Sequence, residues 1–219
     1  MPELPEVETV RRALQQHVIG RRVRSVWLSG LALRKTVPAA LVRHAPGRTI
    51  EGVRRHGKFL LIDLDGGARL VAHLGMTGHF RFHASDPGPP RGLPAHTHAV
   101  LRFDDGSALS YEDPRRFGMI DWAEAGVPDA QAIGPTGMGL DRMAERLDGK
   151  RLGVLFARCS GPIKHLLLDQ KRIAGIGNIY ACEALFRARI GPRRLVHTLA
   201  ADERERLARE IHEVLDHAV

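Results

Sequence analysis

The chain has 219 residues, 43% hydrophobic and 26% charged, enough to bury a substantial core and to form two modest domains. Its 33 Lys and Arg against 25 Asp and Glu leave a net charge of +8, which points to a polyanionic partner such as nucleic acid. No apolar run approaches the ~20 residues of a membrane span, and the acidic start is unlike a signal peptide, so a soluble cytoplasmic or nucleoid location is expected.

The first predicted element is a helix over residues 5 to 19, where Val7, Val10, Leu14 and Val18 recur at helical spacing and Gly20 follows as a C-cap. Ahead of it stands Met1-Pro2-Glu3-Leu4-Pro5-Glu6-Val7-Glu8. Removal of Met1 would leave Pro2 as a free secondary amine. An α-amine has a reference pKa near ~8, so part of it is neutral at physiological pH and able to attack an electrophilic carbon. Addition to a sugar C1′ would give an iminium, a covalent electron sink. Glu3 and Glu6 lie close enough in sequence to move protons for such a nucleophile. The same residues also fit an ordinary helix start, with Pro5 near N1 and Glu6 and Glu8 in the first turn facing the positive end of the macrodipole.

Short alternating or apolar runs follow at 22–28, 49–55, 59–64, 69–74, 99–103 and 108–111, punctuated by Asp65-Gly66-Gly67 and Asp104-Asp105-Gly106. They predict an antiparallel β structure of two packed sheets flanked by the first helix. Residues 84 to 95 are too rich in Pro and Gly for regular structure and predict a mobile surface loop. A second weak stretch, Gly126 to Gly139, reads as an interdomain linker. Beyond it, 142–218 is almost entirely helical in pattern, broken at Gly161-Pro162, Gly175 to Gly177 and Gly191-Pro192. The expected class is therefore α+β: an N-terminal β-sandwich over 1–125, a linker over 126–140 and a helical domain over 141–219. Cys159 and Cys182 are too isolated for a disulfide framework or a CxxC zinc site and read as buried free thiols.

The most specific segment is Leu168 to Tyr180, LDQKRIAGIGNIY. A helix runs into a Gly-rich turn, and a new helix begins at Asn178 with Ile179, Cys182, Leu185 and Phe186 on one face. The unpaired N–H groups of that helix start, approached over glycines, suit a phosphate. Asn178, the only asparagine in the chain, adds a side-chain donor. Gly175-x-Gly177 follows a helix and lacks a third glycine, which disfavours a dinucleotide loop; a structural αα-turn is the competing account.

PELPEVE at the start, Arg55-His56-Gly57-Lys58, His73-Leu74-Gly75-Met76-Thr77-Gly78, Asp113-Pro114-Arg115-Arg116-Phe117-Gly118 and DQKRIAGIGNIYACEALFRA together resemble bacterial formamidopyrimidine-DNA glycosylase, in order from Pro2 to about the last residue. The resemblance implies a β-sandwich followed by a helix-two-turns-helix domain. It implies removal of 8-oxoguanine and formamidopyrimidines from double-stranded DNA, with abasic-site lyase activity by β,δ-elimination. The related endonuclease VIII branch, which prefers oxidised pyrimidines, generally lacks the Met, Arg and Phe set and the PELPEVE start.

By that resemblance Pro2 is the nucleophile that forms the Schiff base, Glu3 the proton shuttle and Glu6 a carboxylate that helps position the site. Lys58 would deliver an ammonium to the lesion or its phosphate, although an exposed surface lysine is the usual fate of that residue type. His73, otherwise a half-buried strand histidine, would approach a backbone phosphate. Lys164 and Asn178 match phosphate or lesion contacts of the helical domain. Met76 and Phe117 match residues that fill the stack vacated by an extruded nucleotide, and Arg115 one that bonds the orphaned cytosine. Without the resemblance these three would read as two core hydrophobes and a surface arginine, an account that the glycines at 75, 78 and 118 weaken by suggesting exposed turns.

Family members continue past this point into a zinc finger with two CxxC pairs and a DNA-gripping arginine, whereas these residues end at Val219. No zinc ligands and no other cofactor are expected. His96 and His98 read as a phosphate contact or a solvated strand rather than a metal site. A weaker, less salt-dependent DNA grip follows, with the chemistry of Pro2 and Glu3 retained. A monomer is expected. A non-catalytic damage-binding module and a helical RNA-binding or structural protein sharing only the Gly-turn motif remain as alternatives.

Overall fold

The computed structural model describes residues 1–134, 139–141 and 145–219. The chain divides into two compact units, one of Met1–Pro2 with Val7–Pro135 and the other of Glu3–Glu6 with Thr136–Val219.

The first unit is built on two four-stranded antiparallel sheets. One has the order β1 (Val23–Leu28), β6 (Thr97–Phe103), β7 (Ala108–Glu112), β5 (His79–His83). The other runs β2 (Ile50–His56), β3 (Phe59–Leu64), β4 (Arg69–His73), β8 (Met119–Ala123). Alternation along the strands sends Leu101, Phe103 and Leu109 from one sheet, and Ile50, Leu60, Ile62, Leu70 and Ala72 from the other, into one core. Helix α1 (Leu4–Val18) adds Val7, Leu14 and Val18 to it, and Gly20 follows the helix at φ +79.

Two strands of this unit are additional to the sequence reading. β5, HFRFH, is an edge strand with no fully buried residue, and β8 is the edge of the other sheet. Their presence defines two crossings. Residues 74–78 carry the chain from β4 in one sheet to β5 in the other, and 113–118 carry it from β7 back to β8. His73 pairs with Met119, and His79 pairs with Glu112, so the two crossings start and finish beside one another.

Short helices α2 (Ala39–His44) and α3 (Asp129–Ile133) follow prolines at 38 and 128. The second corrects the reading of 126–139 as linker alone. Asp129 takes ion pairs from Arg54 and Arg69, and Arg54 above all holds its carboxyl below the usual carboxylate range. Residues 135–138 of the expected linker lie outside the described residues, as do 142–144 at the start of the expected helical region. The Pro- and Gly-rich loop contains one 3-10 turn, Pro90–Gly92, and Asp86 within it is bonded by Arg24 and Arg102.

The second unit contains α4 (Gly149–Phe156), α5 (Ile163–Leu168), α6 (Asn178–Arg187) and α7 (Ala201–Asp216), with a short parallel pair of β9 (Leu140–Asp141) and β10 (Ile173–Ala174). Asp148 caps α4 by accepting from the Arg151 N–H at 2.7 Å. Leu152, Leu167, Ile173, Leu185, Leu207 and Ile211 lie at the centre of its core.

The buried face of α6 is Ala181, Ala184 and Leu185, whereas Ile179, Cys182 and Phe186 are exposed. This corrects the expected face. Small residues let neighbouring helices approach, which the larger ones would prevent. The thiols are corrected as well: Cys159 is half-buried and Cys182 exposed. Among the described residues no helix is long and apolar enough to cross a membrane.

Candidate functional site

In the first unit the functional candidates gather where the two crossings meet. An open pocket of about 290 Å³ is lined by Met1, Arg34, His73, Gly75, Met76 and Phe117. The start of the chain thus lies in the same pocket as three candidates read from two separate motifs. Pro2 follows it, half-buried.

Met76 and Phe117 are 43% and 48% exposed, large apolar side chains held out by turns rather than packed. The Arg115 guanidinium lies over the Phe117 ring at 4.7 Å from its centroid. The crossings touch through Gly75, which has φ +63. A Cβ there would run into the backbone of Phe117 and Gly118, so only glycine permits this approach. Tyr111 fills the space beside Gly78 and Gly118, and its hydroxyl donates to the His73 carbonyl at 3.4 Å.

His73 occupies the last position of β4, packed edge-on against Phe59. Burial first, then the positive charges of Arg34 and Lys58, push its pKa down to about 4. The ring is therefore neutral at physiological pH. The Gly75 N–H donates to Nδ1 at 2.9 Å, which assigns the remaining proton to Nε2 and makes that nitrogen a donor.

Lys58 is only 5% exposed, which corrects the account of an ordinary solvated lysine. It follows Gly57 in the β2–β3 hairpin. The Gly57 carbonyl accepts from Arg55 at 3.0 Å, and Arg55 in turn bonds Glu8 of α1 at 3.2 Å. Burial alone would raise the Glu8 carboxyl, but hydrogen bonds from Arg11, Arg12 and Arg55 outweigh it and hold the group below its ordinary value.

His96 is exposed with φ +65, and its carbonyl accepts the Asp113 N–H at 3.0 Å. His98 is buried; its ring bonds Ser29 and the Asp113 carbonyl. That corrects the expectation of a phosphate contact or a solvated strand for His98, whose role is in the scaffold. Among the described residues no cluster of three His, Cys, Asp or Glu could hold a metal ion.

In the second unit Glu3 is 2% exposed and sits on the N-terminus of α6. Its carboxylate accepts from Gly177 N–H at 2.8 Å, Ile179 N–H at 3.0 Å and Tyr180 N–H at 3.3 Å. The anion at this helix start is therefore supplied by the chain itself, which corrects the reading of these donors as a phosphate seat. A Cβ at Gly177 would collide with the Glu3 carboxyl, so this glycine is what admits it.

Glu6 accepts from the Glu3 N–H at 2.8 Å and from the Tyr180 hydroxyl at 2.6 Å. Burial first, then the Glu6 carboxylate, raises the Tyr180 pKa. Gln170 braces the turn by donating to Leu168 and Ile176 carbonyls and accepting from Gly175 N–H. Sequence reasoning passes over Tyr180, Gln170 and Asp113, although all three lie inside the motifs it singles out. Lys164 is half-buried in the first turn of α5 and Asn178 is exposed at the start of α6. No described hydrogen bond joins them.

Two family models match the chain: the formamidopyrimidine-DNA glycosylase N-terminal domain over residues 1–120 and the formamidopyrimidine-DNA glycosylase H2TH domain over 138–219. The formamidopyrimidine-DNA glycosylase of Gluconobacter oxydans is 40% identical over all of this chain and 78% of its own length. The crystal structure of the MutM (Fpg) protein of Thermus thermophilus is similar at TM-score 0.83 and 42% identity, over 100% of this chain and 76% of that one. The Lactococcus lactis enzyme bound non-covalently to DNA containing an AP site is similar at TM-score 0.86 and 30% identity, over 99% and 81%.

Proposed function

The chain belongs to the formamidopyrimidine-DNA glycosylase family, and on that premise we propose that it is a bacterial base-excision repair enzyme, a monomer that removes oxidised purines from double-stranded DNA and then cleaves the abasic strand. The observation that carries this reading is the start of the chain lying in the pocket of His73, Met76 and Phe117. With Met1 removed, the Pro2 nitrogen attacks C1′ of an extruded nucleotide, and the base leaves with the electrons of the glycosidic bond. Opening of the C1′–O4′ bond gives the iminium, which acidifies C2′ so that the 3′-phosphate leaves, and the conjugated C2′=C3′ bond so formed acidifies C4′ so that the 5′-phosphate leaves in turn. Water then releases the sugar fragment and restores the amine.

Each remaining candidate has a task in this scheme. Glu3, fixed on α6, carries protons to O4′ and from C2′. Glu6 and Tyr180 hold Glu3 in place. Lys58 and the Nε2–H of His73 meet the lesion or its phosphates, as do His96, Lys164 and Asn178. Met76 and Phe117 fill the vacated stack while Arg115 bonds the orphaned cytosine, offsetting the few kcal/mol that extrusion costs. The groups expelled in the two eliminations are phosphates, which leave far more readily than hydroxide would.

Borohydride reduction tests the nucleophile. A duplex with 8-oxoguanine opposite cytosine is expected to become covalently attached to the chain, with attachment greatly reduced in Pro2→Gly. Specific binding without any adduct would instead make the protein a damage-binding module.

A further inference from the structure

We propose that Asp113 is a positioning residue that locks the Met76 crossing and the Arg115–Phe117 crossing into one rigid unit, so that stack filling and reading of the orphaned base occur as a single insertion. The inference rests on the glycosylase reading for its substrate and on geometry for the rest.

Asp113 is fully buried. Its Oδ1 accepts from the Thr77 hydroxyl at 2.6 Å and the Arg115 N–H at 3.3 Å, and its Oδ2 accepts from the Gly118 N–H at 2.7 Å. One carboxylate therefore bonds both crossings, 74–78 through Thr77 and 113–118 at both of its ends. Its backbone is held as well: the N–H donates to the His96 carbonyl, and the carbonyl accepts from the His98 ring and the Arg116 N–H. Met76 is the neighbour of Thr77, and Phe117 lies between Arg115 and Gly118. Neither apolar side chain packs into a core, so their direction is set by the backbone, and the backbone is set by Asp113.

A buried carboxylate satisfied by three neutral donors is costly to assemble and is poorly replaced by an amide. In Asp113→Asn one donor group would face another. Thr77→Val removes the two bonds its hydroxyl makes to the other crossing, to Asp113 and from the Arg115 N–H, while Gly118 and Arg115 keep their bonds to Asp113, so it tests coupling with little change to either loop alone.

The experiment compares the unsubstituted chain with Thr77→Val and Asp113→Asn on three readouts: excision of 8-oxoguanine opposite cytosine and opposite adenine, strand cleavage at a preformed abasic site, and fluorescence of 2-aminopurine beside an uncleavable abasic analogue on binding. Discrimination between cytosine and adenine is expected to fall about tenfold in both variants, the scale of one good base-edge contact. The 2-aminopurine signal should shrink in both, and cleavage at the abasic site should stay within about threefold, because no base needs extruding there. Unchanged discrimination and fluorescence would overturn the proposal, as would a parallel fall of all readouts with thermal stability. An unsubstituted chain that binds but never cleaves would sink the glycosylase reading alone, and the fluorescence comparison would still decide the role of Asp113.

Discussion

At the start of α6 a buried carboxylate, Glu3, accepts three backbone N–H groups and takes those donors from any other anion. In the crossings at 74–78 and 113–118 another buried carboxylate, Asp113, also takes backbone N–H groups, yet the neighbouring side chains Met76, Arg115 and Phe117 are turned out to solvent. The same device thus produces opposite surfaces. Where the carboxylate comes from elsewhere in the chain it saturates a site and fixes its own oxygen atoms. Where it belongs to the loop it satisfies the turn from inside and frees the loop's side chains for a partner. Donor counting alone would rank the helix terminus as the ligand seat, yet three of its backbone donors are already taken by Glu3.

Three changes probe that contrast. Glu3→Ala, which strips the helix start, is expected to cost about 5 kcal/mol, the lower end of the sum for three bonds to a charged acceptor, as well as abolishing strand cleavage. Denaturant unfolding at neutral pH measures the first effect; a loss under about 1 kcal/mol would mean that water replaces the carboxylate without penalty.

His73 comes next. Its folded pKa of about 4 lies below the ordinary 6.5, so the unfolded chain takes up the proton first as pH falls. Stability is therefore undiminished above pH 6.5 and declines by up to about 3 kcal/mol between pH 6.5 and 4. In His73→Phe that slope should be missing from unfolding curves taken at about pH 7 and about pH 4.5.

Phe117→Ala should change stability by no more than about 0.5 kcal/mol, since the ring is half exposed and outside the core. Excision of a base-paired lesion should nevertheless fall well below that of the unsubstituted chain. A large drop in Tm would show the ring to be part of the fold rather than a free prong.

Most of the frame is legible in the sequence because the frame is local. Helix α1 is expected over 5–19 and spans Leu4–Val18, and six of the eight strands in the two four-stranded sheets show in their alternation. β5 escapes because His79, Arg81 and His83 alternate with phenylalanines at an edge where neither face is fully buried, and β8 because its five residues follow a Gly-containing motif that reads as a loop. The short helices α2 and α3 begin after prolines and have too few residues for a period to show. At the site, the family resemblance singles out Met76, Arg115 and Phe117, but Asp113 looks like an ordinary turn aspartate. The phosphate reading of α6 fails for a related reason: Glu3 lies 174 residues away in sequence from Gly177, and no window of sequence joins them.

The anchoring of Glu3 also sets a timetable for the protein's manufacture. In the folded chain Met1, 53% exposed, and Pro2 directly precede Glu3, a residue held by three hydrogen bonds. If removal of Met1 needs these residues free of the fold, it falls in the time before residue 180 is made, roughly 10 to 35 s at ordinary translation speeds. Overproduction that outpaces the clipping enzyme would then leave folded molecules whose proposed nucleophile is still capped by Met1.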